Sequence, residues 1–222
     1  AAVCERGKRM KGLIRNNFYS MENNIKISFV IALFLAVVSF FVKQEGFIQM
    51  IIAMQLSIFI VNVGTSLHAD VVSKWNKFEL TLPVKSNDIM KAKYISFAVL
   101  ILLGIIMGSI TAVYAYAANG FSNARSICYG YEFGLTLSAA MAGIMYPLML
   151  KIGTEKNEII MIVSAIAAVG LRALLSAVLT PLTGEMNMQH PLVGIVSAIA
   201  AAVIFIGSYF ISVKIYRHKE FS

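Results

Sequence analysis

The stretch Tyr94–Ala118, YISFAVLILLGIIMGSITAVYAYAA, runs for 25 residues without one charged side chain. An α-helix rises about 1.5 Å per residue, so roughly 20 apolar residues cross a hydrocarbon core about 30 Å thick. Lipid offers no partners to backbone N–H and C=O groups, and a helix satisfies them internally. The stretch therefore predicts a membrane-spanning helix.

Five more apolar runs extend this prediction to most of the 222 residues, which are 59% hydrophobic and only 14% charged. The six predicted spans are Ile27–Val42, Phe47–Leu67, Tyr94–Ala118, Phe133–Leu150, Ile159–Leu179 and Val193–Val213. They predict an all-α integral membrane protein, a six-helix transmembrane bundle that forms one domain over residues 10–222. Residues 1–9, AAVCERGKR, differ in composition and precede Met10, so we expect them to be an upstream extension.

The formal net charge of +8 reflects topology rather than nucleic-acid binding, because the charges lie at helix ends. Lys and Arg concentrate before the first predicted span, in the second and fourth connections and after the sixth span. The positive-inside rule then predicts that both termini are cytoplasmic. The outer connections Asn119–Glu132 and Thr180–Leu192 are expected to be short loops.

The segment Met10–Asn24 is amphipathic. Ile14, Phe18, Met21 and Ile25 recur at helical spacing among polar residues, which favours a short interfacial helix lying flat on the headgroups before the first span. The alternative is a basic tail that anchors by charge alone.

The second connection, His68–Lys93, reads HADVVSKWNKFELTLPVKSNDIMKAK and mixes charges with apolar side chains. We expect a helix around Asp70–Leu80 that breaks near Pro83, because proline lacks a backbone donor and restricts its neighbour. Its Trp75 and Phe78 either dock on a partner or lie in the headgroups.

Several chemistries lack their residues in this sequence. There is no G-x-x-x-x-G-K-[ST] loop for ATP, and no predicted span holds a carboxylate for proton relay. His68, His190 and His218 lie outside the predicted spans without other ligands at suitable spacing. The sequence therefore predicts no metal site, no cofactor bound by this chain and no intramembrane protease, and we expect no enzyme.

Two predicted spans carry polar stripes. Arg172 is followed by Ser176 in the fifth span, and Gln55, Asn62 and Ser66 recur along one face of the second. We interpret these five residues as facing surfaces of a substrate pathway. The alternative is that Arg172 snorkels outward or pairs with Glu132 or Glu185 to orient its helix.

Small residues mark predicted contacts between helices. Gly104 and Gly108 form a G-x-x-x-G in the third span, and Gly134, Ser138 and Ala142 repeat in the fourth. Small residues let helix backbones approach closely, and we expect them inside the bundle rather than at a dimer face.

The stretch Lys74–Tyr94, KWNKFELTLPVKSNDIMKAKY, is similar to the pattern W-x-K-x-x-x-x-L-P-V-[SK]-x-x-[DE]-I-[VM]-x-[SA]-K-Y. The positions that fit it are Trp75, Lys77, Leu82, Pro83, Val84, Asp88, Ile89, Lys93 and Tyr94. Over Met10–Ser222 the chain thus resembles the permease subunits of ABC-2 type exporters, and within them the small Gram-positive permeases that export phenol-soluble modulins.

The resemblance implies a bacterial plasma-membrane exporter of amphipathic peptides. ATP and Mg would be held by a separate ATPase subunit, and a second permease, identical or paralogous, would complete the pathway. The helix between spans two and three would be the coupling helix. Residues expected to contact the ATPase are Lys74, Trp75, Lys77, Phe78, Glu79, Leu82 and Pro83, with Thr154, Glu155 and Lys156 in the fourth connection. Trp75 and Phe78 would be the apolar anchors, and Glu79 would belong to the polar rim. Alternatives are a non-transporting scaffold or immunity protein and a gradient-driven carrier.

Overall fold

The computed structural model describes residues 2–41, 44–81, 84–119, 124–184 and 187–220, without the side chains of 2–9, 77, 80, 118, 119, 219 and 220. Within these ranges the chain forms helices only. They are α1 Ala2–Phe41, α2 Glu45–Ile58, α3 Val61–Val72, α4 Trp75–Thr81, α5 Ser86–Asn119, α6 Ala124–Ile152, α7 Asn157–Thr183 and α8 Pro191–Glu220. Six segments of the described chain are long and apolar enough to cross a membrane, which confirms the predicted all-α bundle.

The centre of the bundle is formed by α2 and α6. Of the most apolar 18 residues in each span, more than half are buried inside the protein in the second and fourth spans. The corresponding share is 22% in the first span and 28% in the fifth and sixth. The remaining spans surround these two and expose one apolar face each. We call the end at which α5 begins and α8 finishes the basic end, because Lys85, Lys91, Lys214 and Arg217 lie there.

Glycines let the backbone of α2 pack directly on its neighbours. A Cβ added at Gly104 of α5 would lie 2.7 Å from the carbonyl oxygen of Leu56, and one at Gly134 of α6 would lie 3.0 Å from the Cα of Ala53. Gly130, which the sequence analysis placed in an outer loop, packs on α2 in the same way. The prediction that the small residues lie inside the bundle is therefore correct.

The second span is not the single helix predicted over Phe47–Leu67. α2 stops at Ile58 and α3 starts at Val61. At the break the Ile60 N–H bonds the Ser57 carbonyl at 3.0 Å, a tighter turn than an α-helix makes. Neither proline nor glycine lies at the break. Hydrogen bonds from side chains must therefore replace the helical backbone hydrogen bonds that are missing there.

Two side chains donate to carbonyls at the break, of which the Phe59 carbonyl also accepts the Asn62 backbone N–H at 3.2 Å. The hydroxyl of Ser138 on α6 donates to the Leu56 carbonyl at 3.1 Å, and the Asn62 amide donates to the Phe59 carbonyl at 3.0 Å. Such compensation is required because an unpaired carbonyl inside the membrane costs free energy. Irregular backbone at membrane depth is common where transporters move or bind substrate.

The prediction of a separate interfacial helix over Met10–Asn24 is wrong, because α1 is continuous to Phe41. The predicted apolar stripe exists, but Met21 and Ile25 are buried in the protein core rather than in headgroups. The Asn17 amide also donates to Ser96 of α5 at 3.2 Å, which holds this part of α1 against the bundle. No residue near Asn24 breaks the helix.

The predicted helix around Asp70–Leu80 is divided in two. α3 ends at Val72, the Ser73 hydroxyl bonds the Ala69 carbonyl at 2.7 Å, and Lys74 takes a left-handed φ of 57°. A left-handed residue directly after a helix is a common way to end it, although glycine usually occupies that position. The separate helix α4 follows; the break predicted near Pro83 lies outside the described residues.

Candidate functional site

Both segments expected to contact an ATPase line one cavity at the basic end. This cavity has a volume of about 420 Å³ and includes residues of α4 and of the turn between α6 and α7. Its lining residues are Leu67, Asp70, Val71, Asn76, Glu79, Met90, Lys93, Tyr146, Met149, Leu150, Ile152, Gly153, Thr154, Glu155 and Tyr216. The fold therefore brings together two segments that are more than 70 residues apart in sequence.

The two predicted aromatic anchors lie side by side on α4. The ring centroids of Trp75 and Phe78 are 5.2 Å apart, and Phe78 is 54% exposed. Lys74 is exposed at the start of the helix. The side chain of Lys77 and the residues Leu82 and Pro83 lie outside the described part of the chain.

Glu79 is not the rim residue that the sequence analysis expected, because only 3% of it is exposed. Successive residues of a helix point about 100° apart, so on α4 Glu79 turns inward while Phe78 points outward. The Tyr216 hydroxyl donates to the Glu79 carboxylate at 3.5 Å. Burial raises the pKa of Glu79 above 4.5, although the nearby positive charge of Lys93 opposes this effect.

A buried ion pair lies beside Glu79. The Lys93 ammonium group bonds the Asp70 carboxylate, and both side chains are only 3% exposed. Sequence analysis found Lys93 in the family pattern but gave neither residue a role. The sequence does place Asp70 just after the second predicted span and Lys93 just before the third. The same pattern also fits two charges that contact lipid headgroups separately, so it does not predict an ion pair.

The turn after α6 forms the opposite wall of the cavity. Gly153 has a φ of +105°, which only glycine adopts at low cost, and it reverses the chain before α7. Thr154 is buried against the cavity, whereas Glu155 and Lys156 are exposed. Of the three predicted contact residues, the last two are thus accessible to a partner.

The polar stripe of the second span faces α1. The Gln55 amide donates to the Ala32 carbonyl at 2.9 Å, and the Asn62 amide donates to the Ser28 hydroxyl at 2.9 Å. Ser66 lies 3.4 Å from Ser20, hydroxyl to hydroxyl. These contacts attach α2 and α3 to α1.

Arg172 is completely buried on α7. Its guanidinium group lies 4.9 Å from the ring centroid of Tyr129 and donates to the Met188 carbonyl at 3.0 Å and 3.2 Å. One of its nitrogens is 3.8 Å from the Glu132 carboxylate. Arg172 is thus paired with Glu132, which was one of the alternatives considered for it. Glu185 lies outside the described residues.

The two polar stripes do not face each other within this chain. Gln55, Asn62 and Ser66 bond to α1, while Arg172 contacts α6 and the segment before α8. Ser176 is fully buried, and the Thr180 hydroxyl donates to its carbonyl at 3.1 Å. The predicted cleft between the stripes is therefore wrong for a single chain, because the two stripes bond to different neighbours.

A second cavity, of about 530 Å³, lies at the end opposite the basic end and was not predicted. The Gln49 amide donates to the Ser126 hydroxyl at 3.2 Å, and this hydroxyl donates to Glu45 at 3.2 Å. Sequence analysis missed it because residues expected in the loop Asn119–Glu132 belong to α6, which begins at Ala124. Among the described residues no group of three or more His, Cys, Asp or Glu is arranged to hold a metal.

Residues 12–217 match the family model described as ABC-2 family transporter protein. The chain belongs to this family. Comparison with curated proteins and with solved structures found no match. The ABC-2 match covers all six spans, so the likeness extends well beyond the Lys74–Tyr94 stretch.

As an ABC-2 family member, this chain is the membrane permease of an ABC transporter and works with an ATPase subunit. In this ABC-2 permease the methionines Met21, Met90, Met141, Met145 and Met149 fill the protein core. Flexible thioethers suit irregular gaps between helices, so these residues contribute to packing, and two of them, Met90 and Met149, also line the cavity at the basic end.

Proposed function

We propose that this permease is the transmembrane subunit of an exporter and that its ATPase subunit docks on α4 and on the turn Gly153–Asn157. The observation that carries the proposal is that both segments line the cavity at the basic end. The exposed ring of Phe78 packs against the half-buried ring of Trp75 beside accessible charges, an arrangement typical of interface anchors with a polar rim.

The groups beneath α4 suit a mechanical connection to the bundle. Glu79 links α4 to Tyr216 of α8, and the adjacent pair of Asp70 and Lys93 joins α3 to α5. A push on α4 therefore reaches α8 through Glu79 and Tyr216, and it acts beside an ion pair between α3 and α5 that is expensive to separate. In this proposal ATP and Mg are bound in the partner, and hydrolysis there moves α4.

The cargo in this proposal is an amphipathic peptide or a similar lipophilic molecule. Because α2 and α6 fill the centre of the chain, the cargo travels between this permease and a second copy or paralogue. The exposed apolar faces of α1, α7 and α8 supply surfaces for that arrangement. Gln55, Asn62 and Ser66, with Arg172 and Ser176, then influence transport by shaping these helices. The basic end is cytoplasmic and the membrane is the bacterial plasma membrane.

The test uses the purified permease in lipid nanodiscs with a purified ABC-type ATPase subunit from the same organism. Phe78→Ala, alone and with Trp75→Ala, should weaken ATPase binding, by about 2 kcal/mol or roughly 30-fold in Kd for the pair. Peptide-stimulated ATP hydrolysis should fall in parallel. Phe41→Ala is the matched control. Phe41 is 83% exposed at the last residue of α1, at the end of the bundle opposite the basic end.

An unchanged Kd for Phe78→Ala together with full stimulation of hydrolysis would exclude α4 as the docking site. Stimulation by lipids or drugs and by no peptide would leave the docking intact, refute a peptide as the cargo and assign the cargo to another lipophilic molecule. Transport by the permease in vesicles without any ATPase would favour a gradient-driven carrier instead.

A further inference from the structure

An apolar groove runs between α5 and α8 towards the basic end. It has a volume of about 330 Å³. It is lined by Lys91, Tyr94, Ile95, Ala98, Phe205, Ile206, Tyr209 and Phe210. Of its two tyrosines, Tyr94 has a hydroxyl group that is already bonded to Ser208 at 2.5 Å and to Ser212 at 2.9 Å. The ring of Tyr94 therefore offers only carbon to whatever occupies the groove.

The groove opens towards the hydrocarbon of the bilayer. Ile95, Ile206 and Phe210 are exposed on its rim, and both of its helices are membrane spans. Apolar side chains on such a surface lie against lipid, and a concave surface accommodates an acyl chain better than a flat helix face does. The groove thus has the shape and polarity for a lipid tail.

Positive charges close the groove at the basic end. Lys91 is itself a lining residue and lies one turn before Ile95. On α8 the exposed Lys214 lies one turn beyond Phe210. Arg217 follows and donates to Asn87 of α5 at 3.0 Å, so it bridges the two helices across the end of the groove. These side chains lie where headgroup phosphates would be.

We propose that this groove binds one anionic phospholipid, with an acyl chain on the aromatic wall and the phosphate near Lys91, Lys214 and Arg217. Basic pockets between spans on the cytoplasmic side of membrane proteins bind anionic headgroups in this way. A second copy is a poorer occupant, because all copies have one orientation in the membrane. Two-fold pairing through the groove would bring the cationic end of one copy beside that of the other. The proposal does not depend on the cargo or on the docking of the ATPase.

The test is native mass spectrometry of the delipidated full-length permease with phosphatidylglycerol and phosphatidylcholine of identical acyl chains. The wild-type protein should bind the anionic lipid at least about tenfold more tightly. The variant Lys91→Gln with Lys214→Gln should lose about 20- to 30-fold in affinity for phosphatidylglycerol and little for phosphatidylcholine. Ala98→Leu fills the groove and should weaken both lipids by a similar factor.

The control is Lys151→Gln with Lys156→Gln, which removes the same charge at the same end but on α6 and the turn after it. This control should change either affinity less than about twofold. Equal affinity of the wild-type protein for the two lipids, or an equal loss in the control, would refute the site. If Ala98→Leu dissociates a dimer and leaves lipid binding unchanged, the groove is an interface between copies and the proposal is wrong.

Discussion

Gly104→Ala tests the backbone contact on which the bundle depends. The added Cβ would lie 2.7 Å from the carbonyl oxygen and 2.8 Å from the Cα of Leu56. An ordinary contact begins near 3.4 Å, so α2 and α5 must separate by several tenths of an ångström. Overpacking of this kind costs about 1–3 kcal/mol, and alanine regains about 0.5–1 kcal/mol of helix propensity. We expect a net loss of about 1–2 kcal/mol.

The assay is unfolding of the permease in mixed micelles by increasing SDS, followed by circular dichroism. Gly207→Ala is the matched control, because this glycine is inside α8 and a Cβ there would meet nothing within 4 Å. The control should be stabilised by about 0.5–1 kcal/mol, so the two variants should differ by about 2 kcal/mol. Equal stabilities would mean that α2 and α5 do not pack backbone to backbone, and the account of the glycines would fail.

Three further changes test the buried polar groups. Ser138→Ala should destabilise the bundle by about 0.5–1.5 kcal/mol in the same SDS titration, because the Leu56 carbonyl loses its donor; Ser164→Ala, whose hydroxyl bonds its own helix, should cost less than about 0.5 kcal/mol. Arg172→Met should cost about 1–3 kcal/mol and lower export, measured by the titration and by peptide efflux from vesicles. Burial raises the pKa of the Glu79 carboxyl group above its ordinary value of 4.5, so the folded chain binds this proton more tightly than the unfolded chain does. The free energy of unfolding therefore falls as the pH rises through the folded-state pKa. Glu79→Gln should lack that part of the pH dependence of thermal melting.

Each of these expectations has a clear contrary result. Equal losses for Ser138→Ala and Ser164→Ala would mean that the break in the second span needs no partner from α6. Full stability of Arg172→Met would show that its contacts contribute nothing to folding. Identical melting curves of the wild-type protein and Glu79→Gln at every pH would place the Glu79 side chain in water rather than buried against the bundle.

Sequence analysis predicted the spans well because hydropathy is a local property. Five of the six predicted spans each correspond to one helix, the second is divided between α2 and α3, and the G-x-x-x-G of α5 packs as expected. Boundaries were poorer: the stripe that ends at Ile25 was assigned to headgroups, since spacing identifies an apolar face without identifying what covers it. In the same way, the loop assigned to residues 119–132 concealed the start of α6 and the cavity beside Glu132.

The candidate site was only partly predictable. Trp75 and Phe78 could be chosen because apolar rings in a charged connection need a partner. The inward position of Glu79 could not be predicted. It depends on the left-handed Lys74, which separates α3 from α4 and sets the orientation of α4. The pairing of Asp70 with Lys93 joins residues from two different spans, and no pattern within either span specifies it.

The sequence by itself determined that this chain is a bundle of six membrane helices, because about 20 apolar residues in a row leave lipid as their only favourable solvent. It also determined the family, through residues 12–217. Only the tertiary structure decided where the second span breaks, which face of α1 is covered and which segments share the cavity at the basic end. Those features depend on contacts between distant residues, such as the hydroxyl of Ser138 on the carbonyl of Leu56, and such contacts exist only after the helices pack.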